Sequence, residues 1–338
     1  MNLTWRYIKR IIKNLNNEEY KKWVLFGQED PYSVKFESLG DSLKDKNILI
    51  INNGSPNHGF FAEFRTTMNC LSFAERFHFT PYVFYNKDFC YAEETLVNGT
   101  ENPFEYYFEQ PADLKYSEVM SARNVVYAPK FHGDVAEELN KNCFSYAVSD
   151  EYINHMAEIM EKYIRFNATT EKYLKQNISE ILGEYKVLGI HYRGTDFKQN
   201  YNHHPVAVTL EKQIAKVKEV MESGEYDKIF LATDDVSAIK QYSQAFGDQI
   251  VFYQDVCRSE DNQSVAFSKS EREQHHYLLG LEVLRDMYTL ANCKGLVSGM
   301  SQVSNMARIM KRALHKKYIH EAVINLGINH NKNNFTAN

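Results

Sequence analysis

Arg193 ends an apolar run, and its neighbours are chemically dense: His191-Tyr192-Arg193-Gly194-Thr195-Asp196. In an extended chain side chains two apart share a face, so His191 and Arg193 point to one side. An arginine offers a rigid fork of donors that matches two phosphate oxygens at once, and Gly194 lets the backbone turn away closely. The plainer alternative is a surface arginine paired with Asp196. A second group, Ser298-Gly299-Met300-Ser301-Gln302, lies where an apolar run gives way to a helical pattern. Open N–H groups and the helix dipole make such a start attractive to anions. Ser301 there either caps the helix or donates to a bound oxygen. Thr233-Asp234-Asp235 follows another apolar run. Two carboxylates at that point suit a ribose, a base edge or a metal, and one of them suits the N-cap of the next helix. Asp286 stands at the edge of an apolar helical stripe (Tyr277, Leu281, Leu284, Tyr288), where a solvated carboxylate is the plainer reading. No G-x-G-x-x-G fingerprint and no P-loop is present, which argues against a nicotinamide enzyme or a nucleoside triphosphatase.

The elements that must position these groups follow from periodicity. Asn47–Asn52 is an apolar run suited to a strand buried on both faces. The turn-rich loop Asn53–Gly59 follows, then a helical pattern over 60–77 and a strand at Pro81–Tyr85, together a βαβ unit. Residues 100–150 are aromatic and polar without a regular period. One long helix is expected over 150–181, with a domain boundary near Gly183. Beyond it, strands at 187–192, 228–232, 250–252 and 295–298 alternate with helices at 208–221, 236–246, 274–291 and 301–312. That alternation predicts a doubly wound parallel sheet, whose ligands sit at the C-terminal ends of strands. The polar groups His191–Asp196, Thr233–Asp235 and Ser298–Gln302 all fall at such ends.

Composition narrows the class. A length of 338 residues fits two domains. A net charge of -5 argues against nucleic acid as the main partner. Residues 1–25 are the local exception, with six basic side chains against Glu18 and Glu19. With Trp5, Ile8, Ile11 and Ile12 this stretch reads as a helix packed on its own domain or, alternatively, as peripheral contact with an anionic inner-membrane surface. The five cysteines are widely spaced with no C-x-x-C pair, which reads as reduced thiols. No apolar run approaches the ~18–20 residues that span a bilayer, and a signal-peptide pattern is lacking, so a cytoplasmic protein is expected. The 14% aromatic content suits sugar handling and core filling alike.

Taken in order, the strand ending His-x-Arg-Gly-Thr-Asp, the Ala-Thr-Asp-Asp, the helix carrying Leu284-Arg285-Asp286-Met287-Tyr288 and the start Ser301-Gln302-Val303 resemble the GDP-fucose-dependent fucosyltransferases. The likeness is to α1,6-fucosyltransferases, including rhizobial nodulation enzymes, and more distantly to α1,2- and protein O-fucosyltransferases. It covers about residues 186–312 and extends loosely to Asn57-His58-Gly59-Phe60-Phe61 and Asn102–Phe108. The resemblance implies an α/β GT-B architecture: two Rossmann-like doubly wound domains facing a cleft, residues 1–183 on the acceptor side and 184–338 binding the GDP-sugar. It implies that Arg193 bridges the β-phosphate, that His191 and Asp286 contact guanine, and that Asp234 or Asp235 lies by the nucleotide. Ser301 and Gln302 would hold phosphate, with Ser298 counted to the same donor site. The loop of Asn57, Gly59 and Phe60 would close over the diphosphate.

The implied reaction inverts the anomeric centre and needs no metal, since an arginine and helix N–H groups supply the positive charge. The partners are a GDP-sugar donor and a glycan acceptor, such as a bacterial surface polysaccharide. The sequence departs from the family in two places. Gly194 stands where relatives with an arginine pair have the second arginine, and Tyr201 falls where α1,6 enzymes have an acidic residue. His58 precedes the Gly-Phe loop at the position of a glutamate in some protein O-fucosyltransferases, and a neutral imidazole there could take the acceptor proton. The doublets His203–His204 and His275–His276 have poor metal-ligand spacing. Two rivals stay open: the same fold with another nucleotide-sugar donor, and a non-catalytic nucleotide-sugar-binding protein.

Overall fold

The computed structural model describes residues 8, 12, 16, 35–128, 146–260 and 264–334. The first half holds β1 (Lys35–Glu37), β2 (Ile48–Asn53), α1 (Phe60–Phe77), β3 (Thr80–Tyr85), α2 (Tyr116–Val119), β4 (Val125–Tyr127), α3 (Asp150–Tyr163) and α4 (Ala168–Leu182). Its sheet runs β1-β4-β2-β3; β4, β2 and β3 are parallel and β1 is an antiparallel edge. Ile48 and Ile50 face one side of β2, Leu49 and Ile51 the other, and all four are buried. Among the described residues the side of Ile48 and Ile50 is covered by Leu114, Val119 and Ala122 from loops and the one-turn α2.

The helix expected over 150–181 is two helices. Ile164 is extended, and the Asn167 side chain accepts from the backbone N–H of Thr170 to cap the second helix. Two pulls open the chain there. Phe166 pairs with Phe108 in an antiparallel bridge and stacks on it at 5.7 Å. The Asn167 amide donates to the carbonyls of Glu105 and Tyr106, both at 2.9 Å. An Asn-capped start satisfies its own N–H groups, so the break leaves few orphan donors.

The second half comprises β5 (Val187–Tyr192), α5 (Leu210–Met221), β6 (Lys228–Thr233), α6 (Val236–Phe246), β7 (Ile250–Val251), α7 (His275–Asn292), β8 (Gly295–Gly299), α8 (Gln302–Ala313) and β9 (Glu321–Ile324). All five strands are parallel in the order β7-β6-β5-β8-β9. β9 had no counterpart in the sequence reading. Order reverses between β5 and β8, and ligands of such sheets bind at that crevice.

One apolar core runs through both halves, joining Leu49, Phe60 and Phe64 to Leu284, Leu290, Leu296 and Met306. Helix α8 packs along α3 and α1, and the Asn305 amide donates to the Tyr146 carbonyl at 3.0 Å. From the aromatic stretch Tyr107 reaches across to α7, its hydroxyl donating to the Tyr277 carbonyl at 2.9 Å. Gly280 is required beneath it, because a Cβ would overlap the Tyr107 hydroxyl. Among the described residues no helix is long and apolar enough to cross a membrane. The basic N-terminal stretch lies outside the described residues apart from Ile8, Ile12 and Asn16, all exposed, and Cys143 lies outside them too.

Overpacking a close contact typically costs about 1–3 kcal/mol. Gly280→Ala should therefore lose about that much stability in urea denaturation, and Tyr107→Phe, which deletes the overlapping hydroxyl, should restore part of the loss in the double variant.

Candidate functional site

A cavity of about 540 Å³ opens where the C-terminal ends of β5, β6 and β8 meet the start of α1. Asn57, His58, Gly59 and Phe60 line it from the first half; His191, Arg193, Asp234, Asp286, Ser301 and Gln302 line it from the second. Two helix N-termini, of α1 and α8, thus border one space. The N-cap Gly59 makes no side-chain cap, which leaves early N–H groups of α1 open, and such groups attract anions.

Arg193 is fixed by Asp234. The Asp234 carboxylate accepts from the Arg193 guanidinium, from the Gly194 N–H at 3.0 Å and from the Thr195 hydroxyl at 2.7 Å. Arg193 also donates to Ser264 at 3.4 Å and lies 5.8 Å over the Phe197 ring. The carboxylate that holds the arginine is Asp234, just past the end of the neighbouring strand β6. A guanidinium carries five N–H donors, and Arg193 still borders the cavity with its side chain 28% exposed. Gly194 has a steric reason, since a Cβ would overlap the Asp235 side chain. A second arginine at 194 has no room in this fold.

His191 joins the two strand ends. Its Nδ1 lies 3.1 Å from the Ser301 hydroxyl, which also accepts from the Ser304 N–H at 3.0 Å as the cap of α8. Ser301 is thus both cap and histidine partner. Burial pushes the His191 imidazole down to about 4, with Asp234 opposing and Arg193 adding to the effect, so at neutral pH it is uncharged.

Asp286 lines the cavity from α7 and is 9% exposed. Burial pushes its carboxyl up to about 7, against the pull of Arg285 and Arg258. Its neighbours are engaged elsewhere. Arg285 binds Asp255 and Asn177 at 2.6 and 2.7 Å, and Glu282 binds Arg272 at 2.5 Å. Val256, Val265, Ala266 and Leu279 wall the same cavity with apolar surface.

At the mouth, His58 Nδ1 lies 2.5 Å from Glu63 Oε1. The hydrogen bond to Glu63 raises the imidazole above its ordinary 6.5, outweighing burial, and the charge of Glu63 adds to it.

Two expected donor residues do not reach the cavity. The Asp235 carboxylate caps α6 through the Ser237 N–H at 2.7 Å and holds Lys198 at 2.6 Å. Ser298 is fully buried inside β8, in register with His191, because the strand has not yet left the sheet there. Conversely, Glu63, Arg65 and Ser264 belong to the site and were not foreseen. Arg65 follows Phe61 by four residues and so shares its helix face, a signal that was available. Tyr146, Phe197 and His204 form one aromatic corner of the cavity, with ring centroids 5.8–6.0 Å apart.

No family model and no curated protein matches the chain. Solved structures similar to it include NodZ α1,6-fucosyltransferase soaked with GDP-fucose, at 14% identity, covering 78% of this chain and 92% of that one, with a TM-score of 0.46. Fucosyltransferase NodZ from Bradyrhizobium has 14% identity, the same coverages and a TM-score of 0.44. POFUT1 in complex with GDP-fucose has 10% identity, covering 84% of this chain and 99% of that one, at 0.47. These belong to the superfamily that the motifs resemble. At such identity the likeness concerns chain path, and the chemistry rests on the side chains.

A buried carboxyl raised to about 7 makes folding bind a proton between its ordinary value near 4 and 7. Stability from this group is full below about 4, falls as pH rises through that window and stays low above it. Asp286→Asn should therefore be more stable than the wild type at pH 8, with the advantage shrinking toward pH 4, as read from urea midpoints across pH.

Proposed function

We propose that the chain is a glycosyltransferase that moves L-fucose from GDP-fucose to a glycan hydroxyl with inversion and without a metal. The observation that carries this is the Asp234-held Arg193 bordering one cavity with the N-termini of α1 and α8. A fixed cation and two helix N-termini bordering one cavity match a diphosphate. As the sugar–phosphate bond breaks, negative charge grows on the leaving β-phosphate oxygen. A preorganised arginine stabilises that state more than the ground state.

The nucleotide base falls to the apolar wall with Asp286 beneath it. Guanine offers two adjacent N–H donors on one edge, which a carboxylate accepts together; adenine offers an acceptor beside its donor and would leave the charge opposed. Sites built to satisfy hydrogen bonds discriminate strongly against analogues that lack them. His58 takes the proton of the acceptor hydroxyl. The reading carries with it a GT-B arrangement divided near Gly183, donor contacts by Asn57, Gly59, Phe60, His191, Ser301 and Gln302, and work at the cytoplasmic face on a surface glycan. A different sugar on the same nucleotide is the second reading, because the base slot selects guanine and not the hexose.

Arg193→Ala should lower kcat by roughly 10²–10⁴ while the protein stays folded; near-normal turnover would remove Arg193 from the mechanism. In calorimetry with GDP, ADP and UDP the wild type should favour GDP, and Asp286→Asn should lose most of that preference. Donor hydrolysis measured over a panel of GDP-sugars separates fucose from the second reading.

A further inference from the structure

His58 and Glu63 are five residues apart, yet the loop-to-helix turn at Gly59 brings the imidazole Nδ1 to 2.5 Å from Oε1. The partners are unequal: the His58 side chain is 57% exposed at the cavity mouth and that of Glu63 only 6%. Glu63 is anchored on its other oxygen by the Gly54 N–H at 3.2 Å, and the His58 carbonyl accepts from the Cys90 thiol at 3.2 Å. The ring is therefore held by backbone and side chain, with one nitrogen committed to a buried carboxylate. An ionised Glu63 accepts, so Nδ1 carries the hydrogen and the lone pair lies on Nε2.

We propose that Glu63 is a positioning residue that makes His58 a base directed at the acceptor, and that the resulting imidazolium also serves as counter-ion to the leaving diphosphate. This rests on the glycosyltransferase reading above. In the step, the acceptor O–H proton passes to His58 Nε2 while the acceptor oxygen bonds the anomeric carbon. The bond from that carbon to the β-phosphate oxygen breaks, and its electron pair leaves on GDP. Nδ1–H stays on Glu63, and the new imidazolium later releases its proton to solvent.

Two fields compete at His58. The positive end of α1, an 18-residue helix, disfavours a cationic ring, an effect of about 0.3–1 kcal/mol at exposed sites. A direct hydrogen bond to a buried carboxylate is stronger and prevails. The Cys90 thiol donates to the His58 carbonyl, and the other charged or titratable groups on the cavity wall are Arg65 and Tyr91 from the first half with Tyr146, His191, Arg193, His204, Asp234, Cys257, Glu282 and Asp286. A diphosphate seated at the start of α1 would reverse the helix field and raise the basicity of the ring as the donor binds. Proton uptake and departure of GDP thereby become coupled.

The test uses the full chain with Glu63→Gln, His58→Gln and the double variant. Histidine NMR titration without ligand should put the wild-type His58 midpoint above 6.5 with the hydrogen on Nδ1. Glu63→Gln should bring it to 6.5 or below, each unit being a tenfold change in the ratio of charged to neutral ring. GDP should raise the midpoint. In transfer assays Glu63→Gln should lose roughly 10²-fold in kcat with its acid limb moved to lower pH and donor KM unchanged. The double variant should be no slower than His58→Gln, since Glu63 acts only through the ring. A wild-type midpoint at or below 6.5, a titration unmoved by Glu63→Gln, or additive losses in the double variant would each overturn the proposal. Failure of the wild type to bind GDP in calorimetry would sink the donor reading instead, leaving the ligand-free titration to decide the pair.

Discussion

One carboxylate at the cavity edge organises the second half of the molecule. Asp234 stands just past the end of β6 and takes hydrogen bonds from Arg193, Gly194 and Thr195, just past the end of β5. A partly buried carboxylate is best accommodated when its oxygens accept from charged or strong donors, as they do here. The requirement dictates the turn after β5 and freezes the arginine that would otherwise sample many rotamers. Gly194 follows as a consequence, since the turn brings its Cα against Asp235.

The same economy of partners explains the rest of the cavity. His191, neutral by burial, ties the end of β5 to Ser301 and so sets the start of α8 against Arg193. Arg285, Glu282 and Asp235 all neutralise charge within the fold. Asp286 does not, and burial holds its carboxyl near neutrality at a cost to stability. A buried carboxyl kept beside a cavity at such a cost is characteristic of functional sites.

Much of this arrangement was legible in the residues. The helix over 60–77 was expected at the bounds it has, and every strand from β5 to β8 was expected within a residue or two, because long apolar runs between turn residues leave little choice. Most polar groups at strand ends could be assigned to one crevice for the same reason. What could not be read were long-range effects. The break at Ile164–Asn167 depends on Phe108 and Glu105 some 60 residues away. β9 is a short, half-buried edge with no period of its own. Which carboxylate of Asp234 and Asp235 faces the cavity is decided by an N-cap competition that sequence states without resolving. Glu63, partner of His58, is an acid in the first turn of α1, and nothing in its local sequence marks the pairing.

The proposed chemistry requires a diphosphate lying between Arg193 and the two helix starts. A crystal structure of the chain with GDP tests that most directly. The prediction is a β-phosphate within hydrogen-bonding distance of the Arg193 guanidinium and of open N–H groups of α1 or α8, with the base against Asp286. A GDP seated elsewhere, or one whose phosphates point away from Arg193 into solvent, would contradict it.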